Sequence, residues 1–558
     1  MAVLFHDELV ELIRGAIAPL FQDIPLPAIE LEEPAEKANG DIACNIALRS
    51  AKVLRKPPLV IAAEFLALIQ KGLAVSRLNC RVVRLEVKGP GFINFFLTPY
   101  AVGSVLDEVF AQGSDFGRSQ AGKGIKVMME FVSANPTGPL SVAHARQAVV
   151  GDVLGNILRF LGYDLTKEYY MNDGGNQITT LGRSVELRAR KILGESVDFP
   201  EDCYQGEYIK DMAQIFLDQN QIQKLADLQA LADRPQRIKK FSADYLIQVN
   251  QTELKDFRAY FDVWSYESQI ATRDKIEVVL AEFQNRGLAY EHEGALWFKS
   301  TLFGDDKDRV VRKSDGQFTY LSPDIVYHKN KFERGFDRLI NIWGPDHHGY
   351  IPRIKAAAQA LGKNADAVQV LIVQLATVIR AGKIVSMSTR RGEYISLREV
   401  MEEVGVDAAR FFFLMRHIQM HLEFDLDLAK KETAENPVFY IQYAHARINS
   451  INNKAAETRI TPRTGKFQHL TAPEELALIK KISDFTEALT ICREQNDPYT
   501  LAEYLHQLAG SFHKFYDMHR VLVEDADLSA ERLGLVNAVK IILANGLRLM
   551  GVTVPDKM

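Results

Sequence analysis

The 558-residue chain has only four cysteines, Cys44, Cys80, Cys203 and Cys492, and none of them forms a CxxC pair. This argues against a zinc ribbon and a disulfide framework and fits thiols kept reduced in a cytoplasm. Nowhere does an uninterrupted apolar run approach the roughly 18 residues of a membrane-spanning helix, so no span is expected. The opening "MAVLFHDELVELIRGAIAPLF" is interrupted by Asp7, Glu8 and Glu11 at helical spacing, which predicts an amphipathic helix rather than a secretory h-region. Both common phosphate loops, GxGxxG and GxxxxGKS/T, are missing. So is any internal repeat or low-complexity tract. Charge of one sign is not in marked excess: 67 Lys and Arg against 72 Asp and Glu leave a net −5, which neither requires nor excludes a nucleic-acid partner.

What is present reads as a soluble globular protein, 47% apolar and 25% charged, long enough for three or four domains. Residues 1–105 form a small α+β unit. Its helices are punctuated by "EKANGD" and "RKPP", and it closes on two strands around Gly89, Pro90 and Gly91. Next, "IKVMMEFVSA" reads as a buried strand and "VVGDVLGNILRFLG" as a helix. Val149, Val153, Ile157 and Leu161 lie on one row of that helix, and Gly162 is its stop. "DLTKEYYMND" is the following strand. This βαβ order predicts a parallel sheet. Residues from about 178 to 265 read as a charged, helical insertion without strands. Strands resume at "GALWFKS", "DRLINIWG" and "VQVLIVQLATVI", and from about 400 onward only helices are expected.

In an open parallel sheet, ligands bind beyond the carboxyl ends of the strands. "SANPTGPLSVAHARQ" occupies such an end, ahead of a helix whose first amides suit phosphate, and its small residues let a ligand approach the backbone. His144 there reads equally as a phosphate donor or as a plain helix-start histidine. Glu130 stands at the end of the first strand among Met128, Met129 and Phe131, where a charge needs a partner. In "TYLSPDIVYH", Ser322 reads as an N-cap and Pro323 as the first helical residue, so Asp324 either meets a cation or complements the helix dipole. The paired His347 and His348 suggest metal or packing, but no further ligand stands at metal-binding spacing. Tyr440, Tyr443 and Arg447 share one helical face, which suits either core packing or stacking on splayed bases.

Several long stretches, in order, resemble one family. They are "SANPTGPLSVAH", "EYYMNDGGNQI", "GDDKDRVVRKSDGQFTYLSPDIVYH", "WGPDHHGYIPRIKAA", "SMSTRRGEYISL", "GVDAARFFFLMR", "NPVFYIQYAHAR" and the final "GVTVPDKM". All are similar to the arginyl-tRNA synthetases of bacterial type, in class I of the aminoacyl-tRNA synthetases. The resemblance implies an α/β catalytic core with a Rossmann-type parallel sheet, a small α+β N-terminal domain and an all-α C-terminal anticodon-binding domain. The expected limits are 1–105 for a domain meeting the tRNA elbow, 106–400 for the catalytic domain, 401–435 for a connecting helical segment and 436–558 for the anticodon domain. The implied reaction joins L-arginine to tRNA(Arg) through an arginyl adenylate, using ATP with Mg2+, in a cytoplasmic monomer with no protein-bound zinc and no membrane partner.

Residue by residue, the resemblance assigns Glu130, Ser133, Asn135, Tyr320 and Asp324 to arginine. It assigns Pro136, Gly138, His144, Gly344, Asp346, His347 and His348 to ATP. Phe92 and Asn94 would meet the tRNA elbow, with Phe95 and Phe96 read as core, and Tyr440, Tyr443, Arg447 and Met558 would meet the anticodon. The first class signature, usually His-x-Gly-His, has Ser141 and Ala143 in place of its first histidine and its glycine. The second, usually KMSKS, reads "SMSTR": Met387 and Ser388 match and both lysines are replaced. Arg390 or Arg391, with Lys383 nearby, is then the expected cation for the leaving pyrophosphate. Two other readings compete. A cysteinyl-type enzyme lacks its Cys/His zinc set here. A non-catalytic tRNA-binding paralogue would not need to keep Glu130 and Asp324.

Overall fold

The computed structural model describes residues 3–22, 24–34, 36–385 and 394–558. Near the N-terminus, strands Leu31–Glu32, Ile42–Cys44, Val82–Lys88 and Phe92–Leu97 pair antiparallel in the order first, second, fourth, third. The tight hairpin at Gly89–Gly91 forms as the sequence predicts. A Cβ on Gly91, at φ +139°, would stand 2.9 Å from the Pro58 side chain, so the turn needs glycine there. Phe95 is fully buried, whereas Phe96 is half-buried beneath the Arg84 guanidinium, 3.6 Å from its ring centre.

The central sheet has five parallel strands. Across it they run Val368–Ile372, Arg338–Trp343, Lys126–Glu130, Asp164–Met171 and Val263–Tyr266. The helix Val142–Phe160 makes the first crossover, and its row Val149, Val153, Ile157 and Leu161 is buried as expected. Leu161 caps it, and Gly162 at φ +88° ends it. The insertion folds as helices Gly175–Ile192, Glu207–Gln219, Leu225–Gln229 and Arg234–Asp256 around a small core that includes Leu181, Met212 and Phe216.

Three expectations change. The edge strand Val263–Tyr266 lies inside the stretch read as strandless; four residues after a long charged helix are too few to show a period. "VQVLIVQLATVI" divides into Val368–Ile372, in the central sheet, and Ala376–Arg380, in a separate one. The region beyond residue 400 is not wholly helical, because Leu422–Asp425 pairs parallel with Ala376–Arg380.

Helices Pro437–Glu457, Pro473–Ser483, Phe485–Gln495, Tyr499–Met518 and Ala526–Leu549 make up the C-terminal part. A buried charge cluster ties them to the core. On helix 142–160, Asp152 receives Arg410 at 2.5 Å and Lys167 at 2.6 Å, and all three side chains are almost fully buried. Burial alone would raise the Asp152 carboxyl, but Arg410 and Lys167 hold it below the usual carboxylate range. Arg410 also donates to the carbonyls of Met550, Phe257 and Arg258, so core, insertion and C-terminal segment share one guanidinium. Asp152→Ala leaves two buried cations without their anion. It is expected to destabilise the protein by about 3–5 kcal/mol, seen as a fall in the urea midpoint of the transition that unfolds the core.

Candidate active site

The chain leaves strand 126–130 through two non-glycine residues with left-handed backbone, Val132 at φ +67° and Ser133 at φ +41°. For a β-branched residue this is strained and needs outside support. Ser133 supplies it. Its hydroxyl donates to Glu130 Oε1 at 2.9 Å and accepts the Tyr170 amide at 3.1 Å. The following loop is held by two phenols. Tyr208, from the insertion, donates to the Thr137 carbonyl at 2.7 Å, and Tyr394 donates to that of Pro139 at 3.0 Å. A Cβ on Gly138 would lie 3.1–3.2 Å from both hydroxyls, which explains the glycine between Thr137 and Pro139. Asn135 is exposed and turns outward to Gln177, and Pro136 is buried on the same loop.

At the helix start, the Ser141 amide donates to His144 Nδ1 at 3.1 Å, with the Ser141 hydroxyl 3.2 Å from the same nitrogen. Burial pushes His144 down to about 4, against the pull of Asp346. The ring is therefore neutral at physiological pH. Because Nδ1 accepts, the proton sits on Nε2, leaving a donor free for a ligand. Gly344 lies against this helix: a Cβ there would meet Asp346 Oδ1 at 2.7 Å and Gln147 Nε2 at 3.4 Å. Asp346, His347 and His348 are exposed on the short turn Pro345–Tyr350, with His347 3.5 Å from Asp346.

The second cluster is acidic. Helix Leu321–Glu333 begins at Leu321 with Tyr320 as its cap, so Ser322 is not the N-cap and Pro323 is not the first helical residue. Ser322 is instead fully buried and donates to the Val311 carbonyl at 2.6 Å. Asp324 accepts the Tyr350 hydroxyl at 2.6 Å, which gives it a tertiary role beyond the helix dipole. Burial raises its carboxyl to about 7. Tyr350 and Lys331 oppose the rise, and Glu130 and Glu267 add to it. Tyr170 joins the group by donating to Glu267 at 3.0 Å while its ring stacks on Tyr327 at 4.2 Å. Three carboxylates, Asp324, Glu130 and Glu267, thus crowd together, an arrangement suited to a cation with several N–H donors. Tyr320, at the cap of the helix, is 80% exposed.

Glu267, Tyr170, Tyr350, Tyr208, Tyr394 and Lys331 did not emerge from the sequence. Lys331 and His328 do share a helical face with Asp324, at i+7 and i+4, and that spacing was the available signal. Met387, Ser388, Arg390 and Arg391 lie outside the described residues. Among the described residues, no three His, Cys, Asp or Glu side chains converge as metal ligands.

Away from this site, Tyr440, Tyr443 and Arg447 do come together on helix 437–457. Arg447 donates to the Tyr443 hydroxyl and lies 5.1 Å from its ring centre and 5.4 Å from that of Tyr516. His513 packs 4.4 Å from Tyr440. Segment 551–558 lies along the same helix, through Asn449 to Asp556 and His445 to the Pro555 carbonyl, and leaves Met558 half-exposed. In the N-terminal sheet Phe92 is partly exposed, while Asn94 is buried with its Oδ1 unpartnered among the described residues.

Family models match nearly the whole chain. "Arginyl tRNA synthetase N terminal domain" covers residues 7–97, "tRNA synthetases class I (R), catalytic domain" covers 105–452 and "DALR anticodon binding domain" covers 441–558. The chain is 46% identical to the arginine–tRNA ligase of Syntrophotalea carbinolica, over 96% of this chain and 95% of that one. With the arginine–tRNA ligase of Desulfosudis oleivorans the identity is 45%, over 99% and 100%. A crystal structure of a putative arginyl-tRNA synthetase from Campylobacter jejuni superposes with TM-score 0.75 at 34% identity, covering 82% of this chain and 99% of that one. The arginyl-tRNA synthetase of Thermus thermophilus, at TM-score 0.72 and 22% identity over 99% and 100%, shares the fold.

The His144 geometry predicts a specific ionisation state. In a nitrogen-correlated NMR titration, its ring should remain the neutral Nε2–H form from pH 8 down to about 5 and become doubly protonated only near 4. Titration near 6.5, the ordinary histidine value, would contradict the burial that lowers it.

Proposed function

The chain belongs to the arginyl-tRNA synthetase family, and on that premise we propose how its residues carry out arginine–tRNA ligation. The observation that carries the reading is the cluster of Glu130, Asp324 and Glu267, one loop away from a neutral histidine at a helix N-terminus. Arginine would enter with its guanidinium at the carboxylates. Asp324 and Glu130 take its charge, while Ser133 and Asn135, on the loop, and Tyr320 lie toward its backbone end. ATP, taken as its magnesium complex, would lie over Pro136, Gly138 and Gly344, with Asp346, His347 and His348 alongside.

In the first step the arginine carboxylate oxygen attacks the α-phosphorus, the bond to the β-phosphate oxygen breaks, and pyrophosphate leaves with the electron pair. His144 donates its Nε2–H to a phosphate oxygen on which charge accumulates. Ser141 contributes by fixing that tautomer rather than by touching phosphate. Met387, Ser388 and either Arg390 or Arg391 complete the phosphate side. In the second step a ribose hydroxyl at the tRNA 3′ end attacks the activated carbonyl and gives its proton to a phosphate oxygen or to solvent, the bond from the carbonyl carbon to the phosphate oxygen breaks, and AMP departs with the electron pair. Both steps depend on positioning and charge placement, with no covalent enzyme intermediate. Tyr440, Tyr443, Arg447 and Met558 would hold the anticodon, and Phe92 with Asn94 the elbow. The domain limits 1–105, 106–400, 401–435 and 436–558, a monomeric state and a cytoplasmic location are parts of the same reading. A non-catalytic paralogue is disfavoured by the acidic cluster, which has no evident use without arginine.

Charging assays test this reading. The protein should aminoacylate tRNA with arginine and not with cysteine or glutamine. Asp324→Asn removes a charge-assisted partner worth about 1.5–3 kcal/mol, so the arginine KM should rise roughly 10- to 150-fold while the ATP KM barely moves. Since a guanidinium binds the ionised carboxylate and free Asp324 titrates near 7, arginine affinity should climb as pH rises to about 7 and level off above it. Below that point the limiting slope is about tenfold per pH unit, and Asp324→Asn should abolish it. An unchanged arginine KM in that variant would refute the pocket. For the anticodon face, Arg447→Ala should weaken tRNA by about 1–3 kcal/mol and leave the arginine and ATP KM values alone; unaltered tRNA affinity would return the stripe to packing.

A further inference from the structure

Beside the acidic cluster runs a continuous buried polar chain that the reaction as described does not use. Lys331, fully buried on helix 321–333, sits 2.5 Å from Glu130 Oε2. Its ammonium also donates to Asn341 Oδ1 at 3.3 Å and lies 4.1 Å from the Tyr327 ring centre. Asn341 Nδ2 lies 3.2 Å from His328 Nε2, and His328 Nδ1 lies 2.8 Å from the Asp324 carbonyl. The donors can be ordered without ambiguity. A carbonyl only accepts, so His328 carries its proton on Nδ1. Its Nε2 must then accept from the Asn341 amide, and the Asn341 oxygen is left for Lys331. The sequence Lys331→Asn341→His328→Asp324 therefore has one polarity and ends on the backbone of the residue that faces the guanidinium.

We propose that Lys331 is a positioning residue for arginine: by holding Glu130 from below and bracing Asp324 through Asn341 and His328, it fixes both carboxylates that receive the guanidinium. This rests on the arginine reading of the pocket and names a residue that does not touch substrate. Two features support it beyond packing. Glu130 already has one oxygen committed to Ser133 and the other to Lys331, so its carboxylate plane is locked before substrate arrives. The pocket's charge is also set by Lys331. Asp324 is faced by Glu130 from strand 126–130, Glu267 from the short helix Glu267–Ile270, Tyr170 from strand 164–171, Tyr350 from the 345–350 turn, and Lys331 and His328 from its own helix. In that set Lys331 is the one lysine or arginine among the described residues. It offsets one carboxylate and leaves the pocket able to stay ionised near neutral pH.

The test is steady-state charging of tRNA by the full-length protein between pH 6 and 9, for wild type, Lys331→Met, Glu130→Gln and Glu130→Gln/Lys331→Met, with thermal melts of each. Lys331→Met should raise the arginine KM about tenfold or more, keep the ATP KM within about twofold and move the plateau of arginine affinity to higher pH. The double variant buries no uncompensated charge and keeps a measurement in hand if the single one does not fold. Its arginine KM should rise by less than the product of the two single effects, because part of the action of Lys331 runs through Glu130. An unshifted pH plateau, equal rises in the arginine and ATP KM values, or effects that simply multiply in the double variant would overturn the proposal. Wild type that charges no arginine would overturn the pocket reading beneath it, and the proposal with it.

Discussion

Three polar residues stand in register across the middle of a hydrophobic parallel sheet: Asn341, Glu130 and Glu168, directly paired from strand to strand. Burying such a row is costly unless every member finds a partner. Helix 321–333 provides the partners. Lys331 meets Glu130 and Asn341; Tyr327 and Arg334 meet Glu168; His328 meets Asn341. Ser265, on the edge strand, adds a further donor to Glu168. The helix is consequently fixed in rotation and height over the sheet by ionic and hydrogen-bonded contacts, where Val and Leu alone would permit sliding. Asp324 takes its position from that docking, and Tyr350 is tied to it by the hydrogen bond to the Asp324 carboxylate.

The opposite side of the site is built on the reverse principle. Where Glu130, Asp324 and Glu267 gather charge, the start of helix 142–160 withholds it: His144 is kept neutral, and its proton is assigned to the outer nitrogen by the Ser141 amide. Ser141, which stands where the class usually has a histidine, thus has a role as the residue whose backbone orients the remaining one. Glu130 and His144 are 14 residues apart in sequence and joined by a loop whose carbonyls at Thr137 and Pro139 are held by phenols from two distant parts of the chain.

Much of this was readable from the sequence. The period of helix 142–160 and the order of strand, helix and strand were enough to predict a parallel sheet with Glu130 and His144 at its ligand-binding edge. Short or late strands were not, since Val263–Tyr266 and Leu422–Asp425 carry four residues each and no alternation. The start of helix 321–333 was misplaced because Ser322 satisfies a capping pattern but is drawn inward by the Val311 carbonyl. Lys331 was overlooked for a different reason. Helical spacing shows which face a lysine occupies, yet its partner Glu130 is 201 positions away, and only the folded sheet brings the two together.

The junction at Asp152 bears on how the protein is made. Its partner Arg410 is 258 residues downstream, Arg410 is itself satisfied by the Met550 carbonyl, and Asn156 on the same helix donates to Leu549, 393 positions away. During synthesis from the N-terminus, the helix bearing His144 emerges early but carries a buried aspartate whose second cation and closing carbonyl have not yet been translated. The nascent catalytic sheet must wait, partly unsatisfied, until nearly the entire polypeptide has left the ribosome, so maturation of the active-site helix is a late event in biogenesis.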